Sequence, residues 1–387
     1  MHKSYLPMLD ATALLLSVPY IFVLVIVLGL ISNKMKVDFS LKVIMALFIY
    51  YFLIFIIGSF SNTVADLPDT KLFSEIIVSN NIPYASLGVK LFYILSYPQR
   101  IMSFFTVELF IVLQIFIFIL SLMILWKSWQ IVLKQFGEQS NTGLHIFLFL
   151  SAVYPAFILY IPVPLREYVV LLGFSVMTYG LIDRYYNAKG ILPILLGSLL
   201  LIFARPHLVV VVIIFLAIFQ KNSILRMGLI IGSFVVIPMV FTYLIPIEFS
   251  PEYFSSMRER YFVTLGSFAY GRFDWHTYVD ILLDMPTLLA QFLLSPLPIL
   301  HDKNPFDFFA ILLDMLFSIF IYICVLYAGF KISKVYIFIF LLSAILFSVW
   351  EFYIFGAVRH RMPLVAILLP VASYAILIFR RDKKGFK

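Results

Sequence analysis

Residues 104–126 read FFTVELFIVLQIFIFILSLMILW, with Glu108 as the one charged side chain in the stretch. A bilayer core about 30 Å thick is crossed by roughly 20 apolar residues in an α-helix, so this run predicts a transmembrane helix. Ten further stretches of the same kind surround it: 11–32, 41–60, 144–162, 165–182, 190–204, 207–220, 227–247, 308–330, 335–355 and 364–379. Two of them, 190–204 and 207–220, are short and flank Arg205-Pro206-His207, which leaves the count between 10 and 12. The composition agrees. Of 387 residues, 63% are hydrophobic and 12% charged, and the mean hydropathy is +1.05. A soluble domain carries about 25% charged residues, so a water-soluble globule is excluded. An outer-membrane barrel alternates apolar and polar residues in short strands, which these runs do not. The expected fold is therefore all-α: a polytopic helical membrane protein of about 11 spans, forming one integral membrane unit over residues 1–387.

Charge distribution sets the expected orientation, because short cytoplasmic loops collect Lys and Arg. Lys34, Lys36, Lys42, Lys127, Lys134, Arg184, Lys189, Lys221, Arg226, Lys331, Lys334 and the basic residues from Arg380 to Lys387 fall on one side. That side takes 16 of the 28 basic residues, so it reads as cytoplasmic, with the C-terminus inside and the N-terminus outside. The net charge of +8 thus reports topology rather than a nucleic-acid partner. The first apolar segment is too long for a signal-peptide core and is followed by Lys34 and Lys36, so it is expected to remain. Cys324 is the single cysteine. It gives no disulfide within the chain and no Cys/His metal cluster, so no metal site is expected.

Two long segments, 61–103 and 248–307, fall on the outer side as extracytoplasmic loops, with helical stretches expected near 70–78 and 86–97 in the first. Eight of the twelve outer basic residues are Arg: Arg100, Arg166, Arg205, Arg258, Arg260, Arg272, Arg359 and Arg361. The planar Arg fork grips phosphate through two hydrogen bonds, where Lys offers a point charge. Three motifs place such an Arg beside Pro: Pro164-Leu165-Arg166-Glu167, Arg205-Pro206-His207 and Arg359-His360-Arg361-Met362-Pro363. Pro suits a first helical turn, so each reads as a helix start whose dipole also favours an anion. Arg166, Arg205, His207, Arg359, His360 and Arg361 are the candidate phosphate-binding residues.

Glu108, Asp314 and Glu351 are carboxylates inside the apolar runs. Carboxylates at such positions pair with a cation or face a cavity, so each is expected to hold an outer Arg or border a polar site. In the second loop Arg258, Arg260, Tyr270, Arg272, Asp274, Trp275 and His276 mix rings with charges. Rings cover the apolar faces of sugars and charged groups bond their hydroxyls, although the same composition suits a segment lying on the membrane interface. In the first loop Asp66, in Asp66-Leu67-Pro68-Asp69, is a candidate general base, although Asp and Pro at this place equally suit the opening of a loop.

Taken together, Asp66, Tyr154-Pro155 followed by Arg166-Glu167, Arg205-Pro206-His207 and the Arg359–Pro363 motif resemble bacterial polysaccharide polymerases of the Wzy (O-antigen polymerase) type. They also resemble the related polytopic lipid-sugar glycosyltransferases of the GT-C superfamily. Arg260 and Gly271 repeat an Arg-x10-Gly spacing found in outer loops of some Wzy-type proteins. The resemblance implies a cofactor-free, metal-independent glycosyltransferase of the bacterial cytoplasmic membrane. Its substrates would be undecaprenyl-pyrophosphate-linked glycans, with a chain-length regulator as a candidate protein partner. Asp66 or Glu167 would be the catalytic base, the Arg and His residues above would bind pyrophosphate, and the second loop would bind saccharide. Two other readings stay open: a transferase using a polyprenyl-phosphate monosaccharide, and a flippase or transporter of lipid-linked sugar. Transporters commonly carry inverted repeats with matching broken helices, and no second copy of the 205–207 break is present.

Overall fold

The computed structural model describes residues 9–61, 68–78, 87–138, 141–208, 250–265, 269–296, 305–332 and 334–385, together with isolated helical residues between 212 and 231. The described residues are helical, with a single isolated β-bridge between Ala269 and Tyr353. They group into two compact units, Met1–Pro206 and His207–Lys387.

In the first unit the helices are α1 (Ala11–Met35), α2 (Leu41–Ser61), α3 (Pro68–Val78), α4 (Leu87–Leu95), α5 (Tyr97–Met102), α6 (Val107–Gln135), α7 (Leu144–Val153), α8 (Pro155–Tyr160), α9 (Glu167–Asn187) and α10 (Ile191–Ala204). A short 3-10 turn, Pro206–Leu208, follows at the junction. The second unit contains α11 (Pro251–Leu265), α12 (Tyr278–Leu293), α13 (Pro305–Ile332), α14 (Lys334–Trp350) and α15 (Ile354–Gly385).

Among the described residues five helices are long and apolar enough to cross a membrane: Ala11–Met35, Leu41–Ser59, Val107–Gln135, Phe309–Tyr327 and Gly356–Arg380. Leu144–Val153, Ile191–Ala204 and Tyr336–Trp350 are apolar but shorter. The helices expected in the first loop are present as α3 and α4, with α5 added behind them. The span expected over 144–162 is two helices. Pro155 has no N–H to continue the ladder, and Tyr154 before it is extended at ψ 113°, as a residue preceding proline prefers. The apolar stretches 207–220 and 227–247 lie largely outside the described residues.

Each unit is built around one helix that is buried on nearly all sides. For both α6 and α15 the most apolar window is 78% buried, against 33% for α1 and α13. A helix that is apolar all round and also surrounded by other helices belongs at the centre of a bundle. α6 packs against α1, α2 and α9, and α15 against α13 and α14.

The closest helix pair is α9 against α10, and glycines set it. A Cβ on Gly197 would lie 2.6 Å from Met177 N and 2.7 Å from Gly173 O, and one on Gly180 would lie 2.7 Å from Ile194 N. The turn between the two helices uses Ala188 at φ 58° and Gly190 at φ 92°. Small residues at seven-residue spacing let two backbones touch, which is how helices associate where burial in lipid supplies no driving force. The resulting antiparallel hairpin returns residue 205 to the level of residue 167.

Candidate functional site

The first unit brings two of the expected Arg motifs together. Arg166 precedes α9, as its Pro-Leu-Arg-Glu motif predicts, while Arg205 caps the C-terminus of α10. Arg205 pairs with the Glu167 carboxylate, the two side chains being 3% and 2% exposed. Arg166 Nη1 donates to Ala204 O at 3.2 Å. Buried Gln114 of α6 fixes the turn before α9 by donating to Ile161 O at 2.5 Å and Val163 O at 2.7 Å. Tyr168 donates to Gln99 and ties α9 to α5. Glu108 accepts from the Asp10 backbone N–H at 2.7 Å. The partner of this carboxylate is a backbone amide ahead of α1; the two expectations were an outer arginine or a polar site. Asp66 lies outside the described residues.

In the second unit three residues, 351–353, join α14 to α15. Glu351 sits in this turn and accepts from Nδ1 of His360, two turns into α15. Gly356 faces the same carboxylate, and a Cβ there would fall 2.1 Å from Glu351 Oε1. From the second long loop Arg258 Nη2 donates to Glu351 O at 3.0 Å, and Tyr270 N donates to Phe352 O at 3.1 Å. Arg361 pairs with Asp314 of α13 at 2.5 Å with both side chains at 0% exposure. Arg361 also donates to Phe292 O, Leu293 O and Ser295 O at 3.0, 2.6 and 3.3 Å. One guanidinium thus joins α12, α13 and α15. Arg359 lies beside Tyr353 Oη at 3.5 Å, and His207 stacks on Trp350 at 5.4 Å.

This placement revises two local expectations. The Arg359-His360-Arg361-Met362-Pro363 motif is not a helix start, because α15 begins at Ile354 and carries both Pro363 and Pro370 inside it. Proline inside an apolar helix is tolerated where neighbouring helices satisfy the freed backbone groups. Similarly, Arg205 ends a helix, and Pro206 opens a 3-10 turn, Pro206–Leu208.

The loop residues read as saccharide-binding divide into two sets. Arg258, Tyr270 and Trp275 are each 1% exposed. The Arg258 guanidinium lies 4.9 Å from the Phe273 ring, 5.2 Å from Trp275 and 5.7 Å from Phe352. Trp275, in turn, packs with Phe254, Ile281, Leu288 and Phe352 and donates from Nε1 to Asp284 at 2.8 Å. Burial pushes the Arg258 guanidinium down to about 10, an effect that Glu351, Tyr270 and Asp284 oppose. Burial also raises the Tyr270 phenol. The Arg258 and Trp275 side chains and the Tyr270 backbone hold the loop to the α14–α15 turn. Arg260, Arg272, Asp274 and His276 are exposed. Arg272 meets Glu259 at 2.9 Å, and His276 meets Asp274 at 3.5 Å.

Sequence reasoning named Arg359, His360, Arg361, Glu351 and Asp314 separately, without the pairings. The Glu351–His360 couple has a defined chemical consequence. A carboxylate accepting from Nδ1 fixes the imidazole tautomer and leaves Nε2 as the nitrogen that takes up or releases a proton. His360 is 12% exposed and Arg359 7%, whereas Arg361 is fully enclosed. Comparison of the chain with protein-family models, with curated proteins and with solved structures finds no match.

Proposed function

We propose that this chain is a multi-pass glycosyltransferase of the bacterial cytoplasmic membrane, with about 11 spans and its N-terminus outside, that polymerises lipid-linked oligosaccharide repeat units. The observation that carries the proposal is the Glu351–His360 couple near the start of apolar helix α15, with Arg359 next to it in sequence and 7% exposed and the Arg361–Asp314 pair bracing the same helix. Charges are costly at such a place, and their usual role in a membrane helix is to contact a charged substrate or each other. In this reading Arg359 contacts the pyrophosphate of an undecaprenyl carrier. Arg361, enclosed and committed to Asp314, positions α15, and Arg258 positions the turn. The bond between the anomeric carbon and the pyrophosphate oxygen breaks as the acceptor hydroxyl bonds that carbon. The hydroxyl proton goes to a base, and polyprenyl pyrophosphate leaves with its charge held by positioned donors. Glu167 is committed to Arg205, so His360, oriented by Glu351, joins Asp66 as a candidate base.

The test is reconstitution of the purified protein in proteoliposomes with an undecaprenyl-pyrophosphate-linked repeat unit, the products being sized by mass spectrometry. Products of two or more repeats with release of polyprenyl pyrophosphate are expected. Arg359→Ala should slow the reaction about a hundredfold or more, the scale seen when a donor to developing charge is lost. Transfer of one sugar from a polyprenyl phosphate would replace this reading with the single-sugar transferase. Movement of the lipid-linked glycan across the bilayer with no new bond would replace it with a flippase.

A further inference from the structure

The first unit contains a cavity of about 470 Å³ into which three lysines converge: Lys34 and Lys36 from the end of α1, and Lys127 from α6. Met35, Ile124 and Leu196 are among its walls, and no carboxylate lines it. Lys34 and Lys36 are exposed, as residues serving topology usually are. Lys127 is different. It is half-buried and eight residues from the end of α6, about 12 Å down the helix at 1.5 Å per residue. The charges acting on Lys127 are further lysines, Lys134 and Lys36, and its side-chain partner is Gln130 Oε1 at 3.5 Å. Three like charges gathered beside apolar walls repel one another, so the arrangement favours an anion between them.

The surroundings define what kind of anion. Pro193 and Leu196 of α10 line the recess, and on the same two helices Leu30 of α1 and Leu192, Leu195 and Leu199 of α10 keep 51–65% of their surface exposed. A ligand filling the site would therefore meet cations at one end and apolar helix surface at the other. We propose that this cavity binds the phosphate headgroup of an anionic phospholipid, with its acyl chains lying along α1 and α10. Basic pockets between membrane helices on the cytoplasmic side are a recurring means of holding such headgroups, and the inference rests on the orientation proposed above, which puts this end of the unit at the cytoplasm. The inference is independent of the sugar chemistry above.

The full chain, delipidated in detergent, would be titrated with phosphatidylglycerol, phosphatidylcholine or glycerol 3-phosphate, and bound ligand counted by native mass spectrometry. Phosphatidylglycerol should bind and phosphatidylcholine should not. Each of Lys34→Gln, Lys36→Gln and Lys127→Gln should weaken binding about fivefold, and the triple variant about a hundredfold. The double variant Arg184→Gln/Lys189→Gln removes basic residues at the same end of the unit that do not line the cavity, and it should bind as wild type does. Should the triple variant misfold, as judged by elution profile and Tm, the exposed single variants Lys34→Gln and Lys36→Gln decide the matter. Wild-type affinity in the lysine variants, or equal loss in the control variant, would overturn the site. Glycerol 3-phosphate binding as tightly as the lipid would overturn its lipid character and leave a soluble-phosphate site.

Discussion

Removing the Asp314 carboxylate tests whether the polar groups around α15 are structural braces or substrate contacts. In the folded chain Asp314 and Arg361 have no exposed surface and meet at 2.5 Å, and the same guanidinium holds the carbonyls of Phe292, Leu293 and Ser295. Asp314→Ala leaves a buried cation facing backbone dipoles with its anion gone. Breaking a buried pair from one side costs about 3–5 kcal/mol, because the remaining charge has no water to return to. For a unit of this size each kcal/mol lowers Tm by roughly 2–4 °C, so a fall of about 10 °C is expected. Fluorescence-detected size-exclusion after heating measures it directly in detergent. The double variant Asp314→Leu/Arg361→Met removes both charges and should recover most of the loss, since apolar side chains of similar volume replace a buried pair at little cost. A Tm within 2 °C of wild type for Asp314→Ala would refute the bracing role. So would a double variant as damaged as the single one.

Three further outcomes follow from the same geometry. Gly356→Ala should push Glu351 off His360, because the new Cβ would fall 2.1 Å from the carboxylate oxygen; a loss of about 1–3 kcal/mol in thermal unfolding, together with loss of transfer activity, is expected. Gly197→Leu cannot keep the α9–α10 approach, because its Cβ would fall 2.6 Å from Met177 N and 2.7 Å from Gly173 O, so it should lower Tm by several degrees and separate Arg205 from Glu167, read as cross-linking lost between cysteines placed at 167 and 205 in a Cys324→Ser background. The Tyr270 phenol is held neutral by burial. Its folded pKa lies above the unfolded value of about 10, so below pH 10 both states are neutral and above it the unfolded state alone ionises, and stability falls. Tyr270→Phe should therefore lose less Tm than wild type between pH 9 and pH 11.

The long helices were legible because an apolar run of 20 or more residues has one stable solution in a bilayer, and α1, α2 and α6 follow it closely. Prolines were harder to read. At Tyr154-Pro155 the ring breaks what hydropathy joins, while at Pro363 the helix runs through what looks like a start. Sequence does not separate these cases: the helix breaks at Pro155 although Tyr51 Oη of α2 donates at 2.9 Å to Ser151 O, the carbonyl that this proline frees. The charged residues of the candidate site were all visible as anomalies in apolar sequence. Their partners were not, since Glu167 and Arg205 meet only because glycines bring α9 and α10 together, and Asp314 reaches Arg361 across 47 residues. Of the loop residues, Arg258, Tyr270 and Trp275 read as a sugar-facing set, but alternation of rings and charges looks the same in a buried cluster as on a binding face. Burial by the α14–α15 turn decides it.

The central claim is that the chain lengthens a surface glycan and that Arg359 contacts the phosphate of its carrier. The most direct measurement is the polysaccharide ladder on a gel after deletion of the gene in the organism that carries it, with complementation by wild type or by Arg359→Ala at matched membrane levels and matched Tm. The account predicts that deletion collapses the ladder to a single repeat unit, that wild type restores long chains, and that Arg359→Ala does not. Long chains surviving the deletion, or restored in full by Arg359→Ala, would contradict it.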